Sequence, residues 1–289
     1  PVIRRSAGLG RVPEARDPDR YEHFHAHVDV LVAGGGVAGL AAALAAGRSG
    51  RRVLLLEQAG WWGGRAGVDG PEIDGLPAEQ WIAQAVRALQ AMPNVRLRLN
   101  VQVSGVHDHG YAVACEDREG QGGPRQRLWR IRARTIVAAT GAIERPLAFA
   151  GNDVPGVMLA SAVRDYLVNW GVSAGDRVVV VTNNDDAYRT ALALHRAGLI
   201  VPAIVDARPN PSGELVRLAR DLGLRVEAGR AIAKVKGRRK VAGVALCALA
   251  GEGSVIEEIG CDAVAMSGGW SPAVHLWSHC GGRLRWDEE

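Results

Sequence analysis

The chain has 289 residues, a net charge of +4, 47% hydrophobic and 23% charged residues, proportions that fit one large or two ordinary globular domains and exclude fibrous and disordered classes. Its longest apolar run, Val37 to Ala46, contains a glycine and falls short of the ~20 residues that span a bilayer, so no membrane segment is expected. The positive charge does not mark a nucleic-acid binder: acidic residues are interleaved throughout, and the tight basic cluster Arg238, Arg239 and Lys240 reads as a solvated turn.

Residues 1–27 carry prolines and charges without sustained periodicity and read as an arm or linker. Within it His23, His25 and His27 alternate at strand spacing, a polar strand face rather than a metal site, since no carboxylate or cysteine completes a ligand set. From Val28 the pattern becomes regular. Val28 to Ala33 predicts a strand, Gly34 to Gly39 a glycine-rich turn, Leu40 to Arg48 an alanine-rich helix and Val53 to Leu56 a second buried strand, together one βαβ unit. A helix follows over Pro77 to Ala91, then strands at Val95 to Val103, Tyr111 to Cys115 and Leu128 to Arg134, the last two separated by a polar turn at Gly120 to Gly123. Ile136 to Ala139 leads into Thr140-Gly141.

A second βαβ unit begins with the strand Val178 to Val181 and continues through a helix at Ala187 to Ala197 and a strand at Val201 to Val205 ending on Asp206. A helix at Glu214 to Leu222, a strand near Arg225 to Glu227 and a hairpin over Ala233 to Leu249 complete it. Ala263 to Met266 reads as the return of the chain to the first domain. The expected architecture is α/β with two Rossmann-like FAD/NAD(P)-binding domains, the first formed by 28–152 and 255–289 and the second inserted at 153–254.

The chemistry sits on Gly34-x-Gly36-x-x-Gly39. It follows a strand, opens a helix and is followed by Glu57 at the end of the next strand, the setting that separates a dinucleotide fingerprint from a chance match. Gly34 permits the tight turn, Gly36 leaves room for the pyrophosphate and Gly39 lets helix and strand pack closely, while the amides around Val37 and Ala38 face the phosphates. Glu57, with Gln58 beside it, is placed to accept hydrogen bonds from the adenosine ribose, and its charge repels a 2′-phosphate, favouring NAD or FAD over NADP. The second unit reads TNNDDAY over Thr182 to Tyr188, with no glycine and with Asp185 and Asp186 where an anion would sit; these aspartates read as helix N-terminal caps and the second nucleotide site as degenerate.

Gly63-Gly64 resembles the glycine pair of the FAD/NAD disulfide-reductase superfamily, with Arg65 in reach of a phosphate. Thr140-Gly141 resembles its ATG turn, and Val101 to Val103 the segment, here ending on Val103, that sets backbone groups against adenine. No Gly-Asp follows Ala263 to Gly269 to hold a flavin ribityl chain, so NAD is favoured, with FAD as the alternative. The four cysteines, Cys115, Cys247, Cys261 and Cys280, share no CxxC or zinc spacing, which fits a reduced, cytoplasmic protein and argues against a disulfide reductase. His275 and His279 lack a third ligand, so no metal and no catalytic residue is expected. The chain opens on Pro1 and closes on charged residues without a stop pattern, which reads as a fragment of a longer polypeptide.

The stretches Asp17 to Gly50, Arg127 to Leu167 and Thr182 to Leu194 resemble alpha subunits of heterotetrameric sarcosine oxidases, the TNND turn followed by AYRTAL more specifically than the glycine fingerprint. Trp61, Trp62 and Arg65 depart from that family's usual residues. The resemblance implies an NAD-holding region of an alpha subunit that continues into a small ferredoxin-like domain and a folate-binding domain. It also implies beta, gamma and delta partner subunits, FMN and FAD in a partner subunit rather than in this chain, and oxidation of sarcosine to glycine with hydrogen peroxide and either formaldehyde or 5,10-methylenetetrahydrofolate. Opine oxidase and cyanide synthase subunits share the layout. A flavin-binding subunit of an opine or amine dehydrogenase, or a self-sufficient flavin oxidoreductase, is therefore the alternative function.

Overall fold

The computed structural model describes residues 2, 6, 8, 14–120, 122–249 and 253–286. Much of the expected N-terminal arm and residue 121 of the glycine turn therefore lie outside the described residues. The elements run β1 (Tyr21–Ala33), α1 (Val37–Arg48), β2 (Val53–Leu56), α2 (Ala66–Asp69), β3 (Glu72–Ile73), β4 (Leu76–Pro77), α3 (Ala78–Gln90), β5 (Val95–Arg98), β6 (Val101–His107), β7 (Tyr111–Asp117) and β8 (Gln126–Ala138). There follow β9 (Ala142–Glu144), β10 (Val157–Leu159), α4 (Ala160–Trp170), β11 (Val178–Thr182), α5 (Asp186–Arg196), β12 (Ile204–Asp206), α6 (Glu214–Asp221) and β13 (Val226–Ala228). The last are β14 (Arg230–Gly237), β15 (Val241–Ala248), β16 (Val255–Ile259), β17 (Ala263–Ser267), β18 (Trp270–Pro272) and α7 (His275–His279).

The chain forms two compact units: Pro1–Trp62, Gln84–Ala139 and His275–Glu289 make the first, and Gly63–Ala83 with Thr140–Val274 the second. The first holds a six-stranded sheet in the order β5-β2-β1-β8-β7-β6, parallel from β5 to β8 and antiparallel beyond. Every residue of β2 is buried, as a strand covered on both faces must be. β1 starts at Tyr21, inside the stretch expected to be an arm, because β8 pairs with it from Tyr21↔Gln126 to Ala33↔Ala138. Along that strand His23, His25 and His27 are exposed, whereas Ala26 and Val28 are buried and Phe24 packs edge-on against the buried Trp129. The period-two pattern was present in the sequence, masked by histidines on the solvent face. Val95 to Val103, expected as one strand, is two: Asn100 takes a positive φ of 57° between β5 and β6, which lie at opposite edges of the sheet.

The second unit holds a five-stranded parallel sheet, β10-β17-β11-β12-β13, and an antiparallel three-stranded sheet, β14-β15-β16. The valine run of β11 is buried on both sides. Val178 and Val180 join a core with α4, α5 and α6, while Val179 and Val181 join Ile232, Val244 and Ile259 from the three-stranded sheet. β17, expected to return to the first domain, instead pairs with β11 over Val178↔Ala263 to Thr182↔Ser267 and with β10 on its other side. The bounds 153–254 for an inserted domain are therefore not those of the structure. An apolar strand with no exposed face suits the centre of either parallel sheet, and only the pairing tells which. Among the described residues no helix is long and apolar enough to cross a membrane.

One surface cluster ties the parallel strands of the first unit together. Asp29 on β1 accepts hydrogen bonds from the Arg52 backbone N–H at 2.9 Å and from the Arg52 side chain, and lies 3.7 Å from Arg134 on β8. Arg52 holds the Asp29 carboxyl down to about 2, below its ordinary 3.8. Because the folded value is depressed, the stabilisation is present above the unfolded pKa and is lost as pH falls through about 2. Asp29→Asn is expected to lower the Tm at pH 6 and to melt with wild type near pH 2; an equal Tm gap at both pH values would show that the charge plays no part.

Candidate functional site

The chain leaves the buried end of β1 through Gly34, whose φ of 107° an L side chain rarely adopts, and its N–H donates to the Leu56 carbonyl at 2.8 Å. A Cβ at position 39 would stand 1.8 Å from the Gly34 carbonyl oxygen, so helix α1 begins at this distance from the strand only because Gly39 has no side chain. A Cβ at position 35 would lie 2.5 Å from the Trp62 ring and 2.9 Å from Glu57 Cβ. Gly36 differs from both. It is extended, with φ −67° and ψ −177°, and a Cβ there would meet nothing within 4 Å. The protein's own packing therefore does not require glycine at 36. Open space lies over the start of α1, where no side chain caps the helix and no acid occupies the first turn, leaving amides and the positive end of the dipole to a negative ligand.

Glu57, at the end of β2, is buried at 7% exposure. Its Oε2 accepts the Gly35 N–H at 2.6 Å and its Oε1 the Ala59 N–H at 2.8 Å. Two N–H donors thus compensate the buried charge and lock the glycine turn to the second strand, and each carboxylate oxygen retains a lone pair for a hydroxyl. Gln58 is exposed beside it, and Val103 is half-buried on β6 against the core of the first unit. In this unit the structure brings together the Gly34, Gly36 and Gly39 turn, the α1 start at Val37 and Ala38, and Glu57. Trp62, known from the sequence only as a departure from the resembled family, covers Gly35 and also lines a cavity of about 540 Å³ with Asn100, Arg98 and Arg118.

The other expected site residues belong to the second unit and have local roles there. Gly63 is buried at φ 98°, and a Cβ would meet Ile82 at 2.3 Å. Gly64 also takes a positive φ, 57°, and is exposed. Arg65 pairs with Asp69 at 3.1 Å and lies over the Trp270 ring at 5.3 Å. Thr140 Oγ1 donates to the Ala273 carbonyl at 2.6 Å, and the Gly141 carbonyl accepts the Ala273 N–H, fastening the ribbon of β9 and β18.

At the second βαβ turn the structure corrects the expectation for Asp185 and Asp186. Neither caps α5: Asp185 stands at the N-cap without a side-chain cap bond, and Asn184 Oδ1 accepts the Asp186 N–H instead. Arginines hold the two carboxylates, Asp185 with Arg208 at 2.7 Å and Asp186 with Arg164 at 3.1 Å. Asp206, at the end of β12 as Glu57 is at the end of β2, is fully buried and already accepts from Tyr188 Oη at 2.8 Å and from Arg208 at 2.7 Å. Burial, with Asp206 beside it, pushes the Tyr188 hydroxyl well above its ordinary pKa. Internal partners therefore take the donors and acceptors a second nucleotide would need.

Elsewhere, the four cysteines are unpaired, and burial pushes the Cys261 thiol up to about 11, far from a reactive thiolate. The His275 and His279 rings stand 6.2 Å apart, and among the described residues no three metal-ligating side chains gather.

The contrast between the two glycines is testable. Gly39→Ala is expected to destabilise the chain by about 1–3 kcal/mol, the usual range for overpacking, whereas Gly36→Ala should leave its denaturant midpoint nearly unchanged. Equal losses would mean that both glycines serve packing alone.

Residues 29–114 match the family model described as FAD dependent oxidoreductase. The chain is 41% identical to sarcosine oxidase subunit alpha of Rhizobium meliloti (strain 1021) over 100% of its own length, and 39% identical to that of Corynebacterium sp. (strain U-96) over 97%. It spans 29% and 30% of those two relatives. Among solved structures, L-proline dehydrogenase from P. horikoshii superposes with a TM-score of 0.69 at 25% identity, covering 95% of this chain and 48% of that one. The α/β fold is thus that of the FAD/NAD(P)-binding oxidoreductases. The chain is similar over its whole length to part of the sarcosine oxidase alpha subunits, and its residues 29–114 are similar to FAD-dependent oxidoreductases.

Proposed function

We propose that the first unit holds one dinucleotide, NAD, as the cofactor-bearing part of an oxidase alpha subunit. The observation that carries this reading is Gly36: it is the fingerprint glycine whose absent side chain opens space rather than relieving a clash, and that space lies over an uncapped helix start. Gly34, Gly36 and Gly39 with the Val37 and Ala38 amides would cradle the pyrophosphate, Glu57 with Gln58 would take the ribose hydroxyls, and Val103 would border the adenine. Bound NAD supplies a hydride acceptor; this chain's residues only bind and orient it. For Gly63, Gly64, Arg65, Thr140 and Gly141 the assignment to the cofactor rests on resemblance alone.

NAD is preferred over NADP because the buried Glu57 carboxylate repels a 2′-phosphate. β17 belongs to the second sheet, so the lack of a Gly-Asp after it says nothing about a flavin, and NAD now rests on the resemblance to sarcosine oxidase alpha subunits. The FAD-type family model over 29–114 favours FAD as the second reading. The relatives' names support assembly with other subunits, which we take to be beta, gamma and delta chains, with the flavins that oxidise sarcosine outside this chain. Four unpaired cysteines fit the cytoplasm. The Asp206, Tyr188 and Arg208 cluster supports a single nucleotide site, the second being degenerate.

The nucleotide released on denaturation should be NAD, and visible flavin absorbance in its place would establish the FAD reading. By calorimetry Gly36→Val should abolish NAD binding, and Glu57→Gln should weaken it roughly tenfold or more, as expected for a lost charged hydrogen bond of ~1.5–3 kcal/mol, while admitting NADP. Tighter binding of NADP than NAD by wild type would sink the role of Glu57. Given sarcosine and oxygen, the chain alone should form no peroxide, and peroxide production would place the oxidation here rather than in a partner.

A further inference from the structure

Rejection of a 2′-phosphate by the charge of Glu57 is opposed on the neighbouring strand of the first unit. β5 pairs with β2 as far as Leu56↔Arg98, and the Glu57 N–H donates to the Arg98 carbonyl at 2.9 Å. Arg98 therefore ends its strand directly beside Glu57. Its side chain is exposed, bonds the Leu97 carbonyl at 2.9 Å and has no carboxylate partner among the described residues. An arginine near the end of the second strand is the group that accommodates a 2′-phosphate in dinucleotide sites of this kind. The Arg98 guanidinium thus offsets part of the repulsion that Glu57 supplies, and charge alone discriminates weakly between NAD and NADP.

Shape supplies a second barrier. Gly35 is not one of the three spaced glycines of the fingerprint, and it takes no positive φ that would call for glycine. A Cβ there would stand 2.5 and 2.7 Å from Cε3 and Cζ3 of Trp62 and 2.9 Å from Glu57 Cβ. The half-buried Trp62 indole is therefore laid on the turn against the stem of Glu57. The loop that carries it is held at Ala59, whose N–H donates to Glu57 Oε1 at 2.8 Å and whose carbonyl accepts the Asn100 N–H at 3.1 Å. The ring also lines the cavity of about 540 Å³ that Arg98, Asn100 and Arg118 share, a volume far larger than a phosphate group. Arg118 is weakly committed within it: its ion pairs with Glu22 and Glu116 are long, 3.6 and 3.9 Å, and its buried Nε has no hydrogen-bond partner. Trp62 thus stands with the Glu57 turn on one side and an arginine-lined cavity on the other.

We infer that Trp62 is a specificity-determining residue of the nucleotide site, acting through shape where Glu57 acts through charge. Its indole closes the ribose edge off from the cavity, so that a free 2′-hydroxyl fits while a 2′-phosphate is kept from the guanidinium of Arg98 that would hold it. The inference rests on the reading that Glu57 takes the adenosine ribose. Titration of the chain with NAD and with NADP by calorimetry tests it. Trp62→Ala should raise the affinity for NADP relative to NAD at least tenfold. Trp62→Leu, which keeps an apolar group on Gly35 and so guards against a loss of folding, should shift the ratio in the same direction. The gain should fall several-fold when Arg98→Gln is added and should shrink at high salt. Arg98→Gln by itself should leave the ratio unchanged, because the ring holds the phosphate position closed. An unchanged ratio in folded Trp62→Ala or Trp62→Leu, or a gain indifferent to Arg98→Gln, would overturn the role of Trp62 and leave that of Glu57 standing. Failure of the wild-type chain to bind NAD would instead remove the ribose reading, and this inference with it.

Discussion

The turn from β1 into α1 closes only because position 39 has no side chain. Any Cβ there would meet the Gly34 carbonyl oxygen at 1.8 Å, and pushing the helix away would break the approach that sets its first turn over the strand end. The remainder of the site follows from that contact. With the helix start fixed, the Gly35 N–H points at Glu57, whose second oxygen takes the Ala59 N–H, so one buried carboxylate joins the first and second strands of the parallel sheet. The buried charge is tolerable because it is hydrogen-bonded, and the same bonds fix its orientation. Gly36 is then the one fingerprint glycine free of internal duty, and the space beside it becomes a property of the scaffold.

The two units treat the same βαβ motif in opposite ways. In the first, glycines leave an uncapped helix start and an acid with lone pairs to spare. In the second, Asn184 closes the helix start, Asp185 and Asp186 are spent on Arg208 and Arg164, and Asp206 is spent on Tyr188 and Arg208. Arg164, only 1% exposed, needs Asp69 and Asp186 because a guanidinium removed from water without counter-charge would cost several kcal/mol. What would bind phosphate and ribose in a working site here stabilises the protein itself.

The sequence by itself determined the nature of both units and the placement of the fingerprint. Glycine spacing after a strand and an acid at the end of the next one are local signals, and valine runs such as Val178 to Val181 announce strands covered on both faces wherever they lie. The absence of glycine from the second turn, Thr182 to Tyr188, was equally legible. What tertiary structure alone decided was pairing. Residues 21–27 become strand because β8 extends far enough to bond them, and β17 joins the second sheet because β10 and β11 flank it, although its composition suits either sheet. Partner choice among charges was likewise hidden: Asp185 and Asp186 have the chemistry of helix caps, but arginines at positions 164 and 208, remote in sequence, reach them first. Local pattern fixes which residues must be buried or must turn, whereas the partner a strand edge or a carboxylate finds depends on groups that only the folded chain brings within bonding distance.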